Sequence, residues 1–226
     1  MRSVLRLVIV VAAVAPCVAQ YVDRIVASVN GTPILWSDVE EEVRIEALMQ
    51  GAPSEQITAA KRNEALDHLI DSTLVRNQLG EETSSDTEAT RQQLAERINS
   101  VRSELNATSD PDWQALLTRY ALTESEVSRY LRKQMEVLDF IDLRFRSGVQ
   151  VTPKQIEDYY NQQFVPDLKK RGATAPPLSA VRSQIENILV EQAISASTSQ
   201  WLKIVREQAE IWRAEPFANS EEAQRE

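Results

Sequence analysis

Helix-start signals recur along this chain at intervals short enough to leave little room for anything but helices. Ser37 with Glu40 and Thr123 with Glu126 place a hydroxyl three residues before an acid, the pattern of a capping box. Asp110-Pro111 and Thr152-Pro153 set a capping side chain ahead of a proline, whose fixed φ and missing N–H suit the first helical turn. Behind each signal runs an apolar spacing of three and four residues. The pattern predicts a helix from Ser37 to Met49, broken by "GAPSE", and a second from about Ser54 to Leu79, with Leu66, Leu69, Ile70 and Leu74 on one face and Gly80 as its stop. From Asp86 to Leu105, residues Leu94, Ile98, Val101 and Leu105 form a narrow seam that needs a partner helix. A short helix at Asp110 carries Trp113, Leu116, Leu117 and Tyr120. The one after Thr123 has Val127, Leu131, Leu138, Ile141 and Phe145 as a buried stripe, ending at Gly148.

The second half continues in kind. After a link "VQV", the segment "PKQIEDYYNQQF" is a further helix, and "VPDLKKRGATAPP" (165–177), with its prolines, glycine and three cations, reads as a linker. From Leu178 a helix of about 30 residues, about 45 Å long, turns Val181, Ile185, Ile188, Leu189, Leu202 and Val205 inward. Its small-residue middle, "AISASTSQ", either lets another helix approach closely or marks a break.

Strand signals sit only at the two ends. Val22, Ile25, Val26 and Val29, the left-handed turn pair Asn30-Gly31, and the short return Pro33-Ile34-Leu35 form a hairpin. "AEIWRAE" is a short strand whose one available edge is that hairpin. The expected fold is therefore mainly α: a helical bundle with a small antiparallel sheet made of the N-terminal hairpin and a C-terminal strand. Residues 213–226 are expected to be a disordered tail. Asn30-Gly31-Thr32 and Asn106-Ala107-Thr108 match a glycosylation pattern, but the turn explains the first, and neither receives a role.

Residues 1–19 have the build of a secretory signal peptide: Arg2 and Arg6, an apolar run from Leu7 to Ala15, and a cleavage site expected after Ala19. That run is too short to span a bilayer, which takes about 20 residues. Cys17 would be the acylated residue of a lipoprotein, but Pro16 fits that processing site poorly. Cleavage at Ala19 leaves no cysteine, hence neither a disulfide framework nor a thiol nucleophile. The chain has 25 basic and 34 acidic residues; without Arg2 and Arg6 the balance is −11. Such acidity argues against nucleic acid as a partner and suits an exported protein that keeps sticky clients soluble. No later segment is apolar enough to cross a membrane, so the expected location is the periplasm.

Chemistry-bearing motifs are missing. The sole histidine, His68 in "LDHLID", reads as an ordinary helical residue. No His and acid spacing suggests a metal site, no Gly-rich loop follows a strand, and no serine elbow occurs. No catalytic residue, metal or cofactor is expected.

Taken in order, "VDRIVASVNGTPILWSDVEEE", "LDHLIDSTLVRNQLG", "YALTESEVSRYLRKQMEVLDFIDLRF", "VTPKQIEDYYNQQF" and the long helix closing on "WLKIVREQAEI" resemble the framework of the SurA family of periplasmic chaperones, whose relatives include PpiD and PrsA. "VNGTPILWSD" and "VTPKQIEDYY" are the most specific parts. The resemblance implies one chaperone module, made of residues 20–164 and completed by a long helix and strand at 178–212. In that family, parvulin prolyl-isomerase domains are inserted between the two parts. Here only residues 165–177 stand at that point, far short of the roughly 90 residues of a parvulin, so isomerase activity is not carried over.

What the resemblance does imply is binding of unfolded polypeptides without ATP, with outer-membrane proteins in transit as the expected clients. A holdase needs an apolar concavity with adaptable walls. Trp36, Met49, Trp113, Tyr120, Tyr159 and Tyr160 are the candidates for it, each weighed against plain core packing. Tyr159 and Tyr160 are adjacent, so at least one is expected near the surface. Lys169, Lys170 and Arg171 are expected to solvate a loop. Two alternatives stay open: an envelope assembly factor or scaffold with one dedicated partner, and a subunit paired with a separate isomerase. Homodimerisation is a further possibility, since loss of the inserted domain exposes apolar surface.

Overall fold

The computed structural model describes residues 23–53, 57–79, 88–215 and 217. The expected leader, its cleavage site and Cys17 lie outside the described residues. Strands β1 (Ile25–Val29) and β2 (Thr32–Leu35) form the hairpin around Asn30 and Gly31, whose φ angles are 49° and 82°. Both are left-handed, as a tight two-residue hairpin turn requires. Ile25 lies opposite Leu35 and Ala27 opposite Ile34, so β1 bulges at Val26. The extra residue turns both Val26 and Ala27 inward, where they are buried, and leaves Ile25 and Ser28 on the outer face.

β3 (Ile211–Arg213) pairs antiparallel with β1, giving the strand order β2-β1-β3. The fold is thus the expected one, mainly α with a small antiparallel sheet joining the two ends. The expectation of a disordered tail from residue 213 needs correction. Arg213 is part of β3, the Ala214 N–H donates to the Val26 carbonyl at 2.9 Å, and Phe217 packs edge-on against Trp36 with ring centroids 5.0 Å apart. Residues 218–226 lie outside the described residues.

Helix α1 (Trp36–Gln50) follows β2 without a loop. Its start differs from the expected Ser37–Glu40 capping box. The Asp38 carboxylate accepts the Leu35 N–H at 2.8 Å, while the Ser37 hydroxyl bonds to Asp23 and Glu40 pairs with Arg62 at 2.5 Å. Helix α2 (Ala59–Leu79) begins within the described residues at Ala59; the expected start at Ser54 and stop at Gly80 lie outside them. Likewise α3 (Glu88–Glu104) is described from Glu88, beyond the expected Asp86. Ser109, rather than Asp110, caps α4 (Asp110–Arg119), and Thr123 with Glu126 closes the expected capping box of α5 (Glu124–Phe145).

Residues 165–177 are not simply a linker. Helix α6 (Pro153–Tyr159) runs into a π-turn (Tyr160–Phe164) and on into α7 (Val165–Lys170). Pro166 has no N–H and would clash in a regular helix interior, and the wider π-turn just ahead of it absorbs the mismatch. Gly172, with φ of 73°, ends the helix, its N–H on Lys169 O and the Ala173 N–H on Leu168 O. The turn then returns to α8 (Leu178–Gln208), held by the Tyr160 hydroxyl on the Pro176 carbonyl at 2.8 Å. "AISASTSQ" lies within α8 as unbroken helix.

Three apolar clusters hold these elements. One joins the sheet to α1, α2 and the end of α8 through Val26, Val29, Val39, Val43, Leu66 and Ile70, with Leu202 and Val205 against them. A second joins the end of α1 to α3, α4 and α5 through Leu48, Val101, Trp113, Leu117 and Leu131. α1 is thus buried on two sides. The third, smaller cluster centres on Ile156, Val181 and Ile185, between α6 and the start of α8.

Candidate functional site

The six aromatic and methionine candidates are not brought to one surface. Trp113 and Tyr120 are core residues, 1% and 5% exposed, and the Tyr120 hydroxyl is tied to the Ala52 carbonyl at 2.9 Å. As a ready client surface they are therefore corrected: Trp113 sits in the first turn of α4 and Tyr120 at its C-terminal end, and their rings fill the second cluster. Met49 packs against that same cluster from the end of α1. Trp36 is half-covered from three directions, by Phe217 and by the guanidinium groups of Arg24 and Arg62, 5.0 and 5.8 Å from its ring centre.

Tyr159 and Tyr160 both pack against the third cluster. Both are half-buried, so each keeps part of its ring at the surface while packing on the same cluster. They lie three and four residues after buried Ile156, on the two flanks of one stripe. Tyr160 also stacks on Phe164, with centroids 5.9 Å apart.

The concavity lies elsewhere. An open cleft of about 1700 Å³ lies between β2, α1 and α2 on one side and α5, from Ser125 to Leu143, on the other. None of the six candidates lines it. Its apolar lining is Val137, Leu138, Phe140 and Leu143 of α5, interleaved with Lys133, Glu136 and Asp139, together with Ile34 and Leu69 from the other side. Leu138 is 62% and Leu143 81% exposed. The expected buried stripe of α5 therefore holds only for Val127 and Leu131. Val127 and Leu131 pack into the second cluster with α3 and α4, whereas the distal turns of α5 lie beyond that cluster and pack on α8.

An aromatic joint that the periodicity does not reveal makes that second contact. Phe140 and Phe145 of α5 pack on Trp201 of α8 at 5.7 and 5.8 Å, and the Arg144 guanidinium lies 5.1 Å from the Trp201 ring. Trp201 stands one position before the inward Leu202, off the apolar stripe of α8.

Polar chemistry concentrates at the inner end of the cleft. His68 of α2 pairs through Nδ1 with Glu46 of α1 at 2.6 Å. Burial alone would lower the His68 pKa, but the hydrogen bond its ring donates to Glu46 and the charges of Glu46, Glu42 and Glu64 outweigh it and leave it above the ordinary value. Glu42, one turn earlier, is pushed up to about 7, first by burial and then by the Glu46 charge, against the pull of His68 and Lys133. Tyr130 of α5 is pushed above its usual range, by burial and then by Glu42 and Glu46. Around this point the acids of α1 reach three ways, Glu40 to Arg62, Glu46 to His68, and Glu41 to Arg129 of α5 at 2.6 Å. These pairs brace α1 against both walls.

Among the described residues no group of three His, Cys, Asp or Glu side chains could hold a metal ion, and no helix is long and apolar enough to cross a membrane. In comparison with known proteins, no family model and no curated protein matches the chain.

Proposed function

We propose that this protein is an ATP-independent periplasmic holdase for unfolded envelope proteins, outer-membrane proteins above all, without prolyl isomerase activity. The observation that carries the reading is the open cleft, where apolar side chains of α5, two of them leucines more than half exposed, are interleaved with charged ones and the opposite side carries Ile34, Leu69 and the His68–Glu46 pair. A contiguous exposed apolar surface rimmed by polar groups marks an interaction site. Its breadth and openness suit unfolded chain better than a small molecule, which needs an enclosed pocket. Affinity drawn from apolar area without dense polar readout is modest and tolerant of sequence, so release needs no nucleotide. The client class rests on the resemblance of "VNGTPILWSD" and "VTPKQIEDYY" to the SurA family.

The test is light scattering from a urea-unfolded outer-membrane barrel diluted with and without the protein. The wild type suppresses aggregation at near-stoichiometric ratios. Replacing Leu138 and Leu143 together by Asp reduces that suppression and leaves helical circular dichroism unchanged. Failure to protect any unfolded client would reject the holdase reading in favour of a dedicated-partner scaffold.

A further inference from the structure

The two outer edges of the sheet are chemically unlike. In β2 the residues that pair inward are Thr32 and Ile34, opposite Val29 and Ala27, so Pro33 and Leu35 face outward. Pro33 has no N–H, and the Leu35 N–H is held by Asp38. That edge offers no donor to a further strand.

At β3 the alternation runs the other way. Asn30 N–H donates to the Glu210 carbonyl at 2.8 Å and Ala214 N–H to the Val26 carbonyl at 2.9 Å. With Ser28 opposite Trp212, the inward residues of this strand segment are Glu210, Trp212 and Ala214. Ile211 and Arg213 therefore turn N–H and C=O to the outside, and no hydrogen bond to those groups occurs among the described residues. On the outer face Trp212, 53% exposed, stands on this edge strand itself, with Ile25, 49% exposed, one strand further in on β1. The Arg213 side chain is already taken on the other face, by Asp67 at 2.5 Å and Asn63 at 3.1 Å.

We propose that the outer edge of β3 receives an extended segment of client main chain as a fourth strand, with the exposed Trp212 ring of the edge strand covering its side chains. The occupant rests on the holdase reading; the open edge does not. Alternating donors and acceptors in β geometry recognise any extended backbone, whatever its sequence, which is the chemistry an unfolded client presents. A second copy fits less well. Three residues of strand bury far less than the roughly 1,200–2,000 Å² of a stable interface, and two chains of net charge −9 repel. Phe217, four residues after β3, lies on Trp36 beyond the other side of the sheet. A short edge gives weak, reversible pairing, as a holdase that must let go requires.

The experiment is amide exchange by NMR on the protein, titrated with a synthetic peptide of alternating Val and Thr carrying a lysine at each end. A copy of that peptide N-methylated at alternate residues serves as comparison, and barrel light scattering runs in parallel. The expected result is that the Ile211 and Arg213 amides slow about tenfold or more with the peptide and not with its N-methylated copy. Ile211→Pro, which removes one outward donor, weakens binding about three- to tenfold. Binding of the peptide or the barrel with both amides unchanged overturns the edge and leaves the holdase reading standing. Slowing with the peptide but no protection of the barrel upholds the edge and rejects the holdase. Slowing that grows with protein concentration alone, with dimer in sedimentation, overturns the client in favour of a second copy.

Discussion

Asn30 and Glu210, 180 residues apart, exchange a reciprocal pair of hydrogen bonds: the Asn30 N–H donates to the Glu210 carbonyl at 2.8 Å, and the Asn30 Oδ1 accepts the Glu210 N–H at 2.9 Å. One asparagine thus turns the hairpin, through its φ of 49°, and clasps the C-terminal strand to it. Asn30→Ala loses the side-chain bond and leaves a Cβ-only residue in the left-handed region, at a cost of about 2 kcal/mol. Asn30→Gly loses the bond but relieves the strain and costs under about 1 kcal/mol. Urea unfolding of the two variants separates the contributions.

Ala121 sits at φ of 51° where α4 passes to α5, with the Leu122 N–H on the Leu117 carbonyl at 3.0 Å and its own carbonyl accepting from Arg44 Nη1 at 3.1 Å. An alanine in this position is strained, and glycine is the residue it favours. Ala121→Gly is expected to stabilise the protein by about 0.5–1 kcal/mol, net of the freedom glycine adds to the unfolded chain. Equal or lower thermal stability would show that the strain is already relaxed.

Trp113 and Leu143 are opposite cases of a large apolar side chain. Trp113→Ala opens a cavity in a cluster where the ring is 1% exposed and costs about 3–5 kcal/mol. Leu143→Ala, at a position 81% exposed, changes stability by less than about 0.5 kcal/mol. Denaturant midpoints compare the two directly, and a large loss at Leu143 would mean that the cleft wall is packed.

Glu42 and His68 make stability depend on pH in the same direction. The Glu42 carboxyl titrates at about 7 in the folded protein against an ordinary 4.5, so its protonated form is the favoured one. The associated stability is full below about pH 4.5 and is lost as pH rises through about 7. His68 is likewise raised, so its pairing with Glu46 is lost on the alkaline side. Glu42→Gln should therefore stabilise the protein at pH 8, by up to about 3 kcal/mol at 1.36 kcal/mol per pH unit, and do little near pH 4. Urea unfolding at the two pH values checks the sign.

Local chemistry was legible where one short segment decides the outcome. The Asn30-Gly31 turn, the Thr123–Glu126 box and the Thr152-Pro153 start all act within a few residues, and each is found as read. The Ser37 box was misplaced because Asp38 serves the cap better once β2 runs straight into α1. Residues 165–177 misled through composition, since their prolines sit where helices tolerate them: Pro166 in the first turn of α7 behind a π-turn, and Pro177 as the cap of α8.

The amino-acid sequence by itself determined a chain of capped helices with a strand at each end, because turn and capping preferences are set by nearest neighbours. Tertiary structure alone decided which apolar side chains are covered. Trp113 and Tyr120 vanish into the junction of α3, α4 and α5, while Leu138 and Leu143, drawn from the same residue class at helical spacing, face the cleft because the distal turns of α5 lie beyond the cluster that covers its beginning. Burial is a property of the neighbour supplied by the rest of the fold, and periodicity within one helix carries no record of where that neighbour ends.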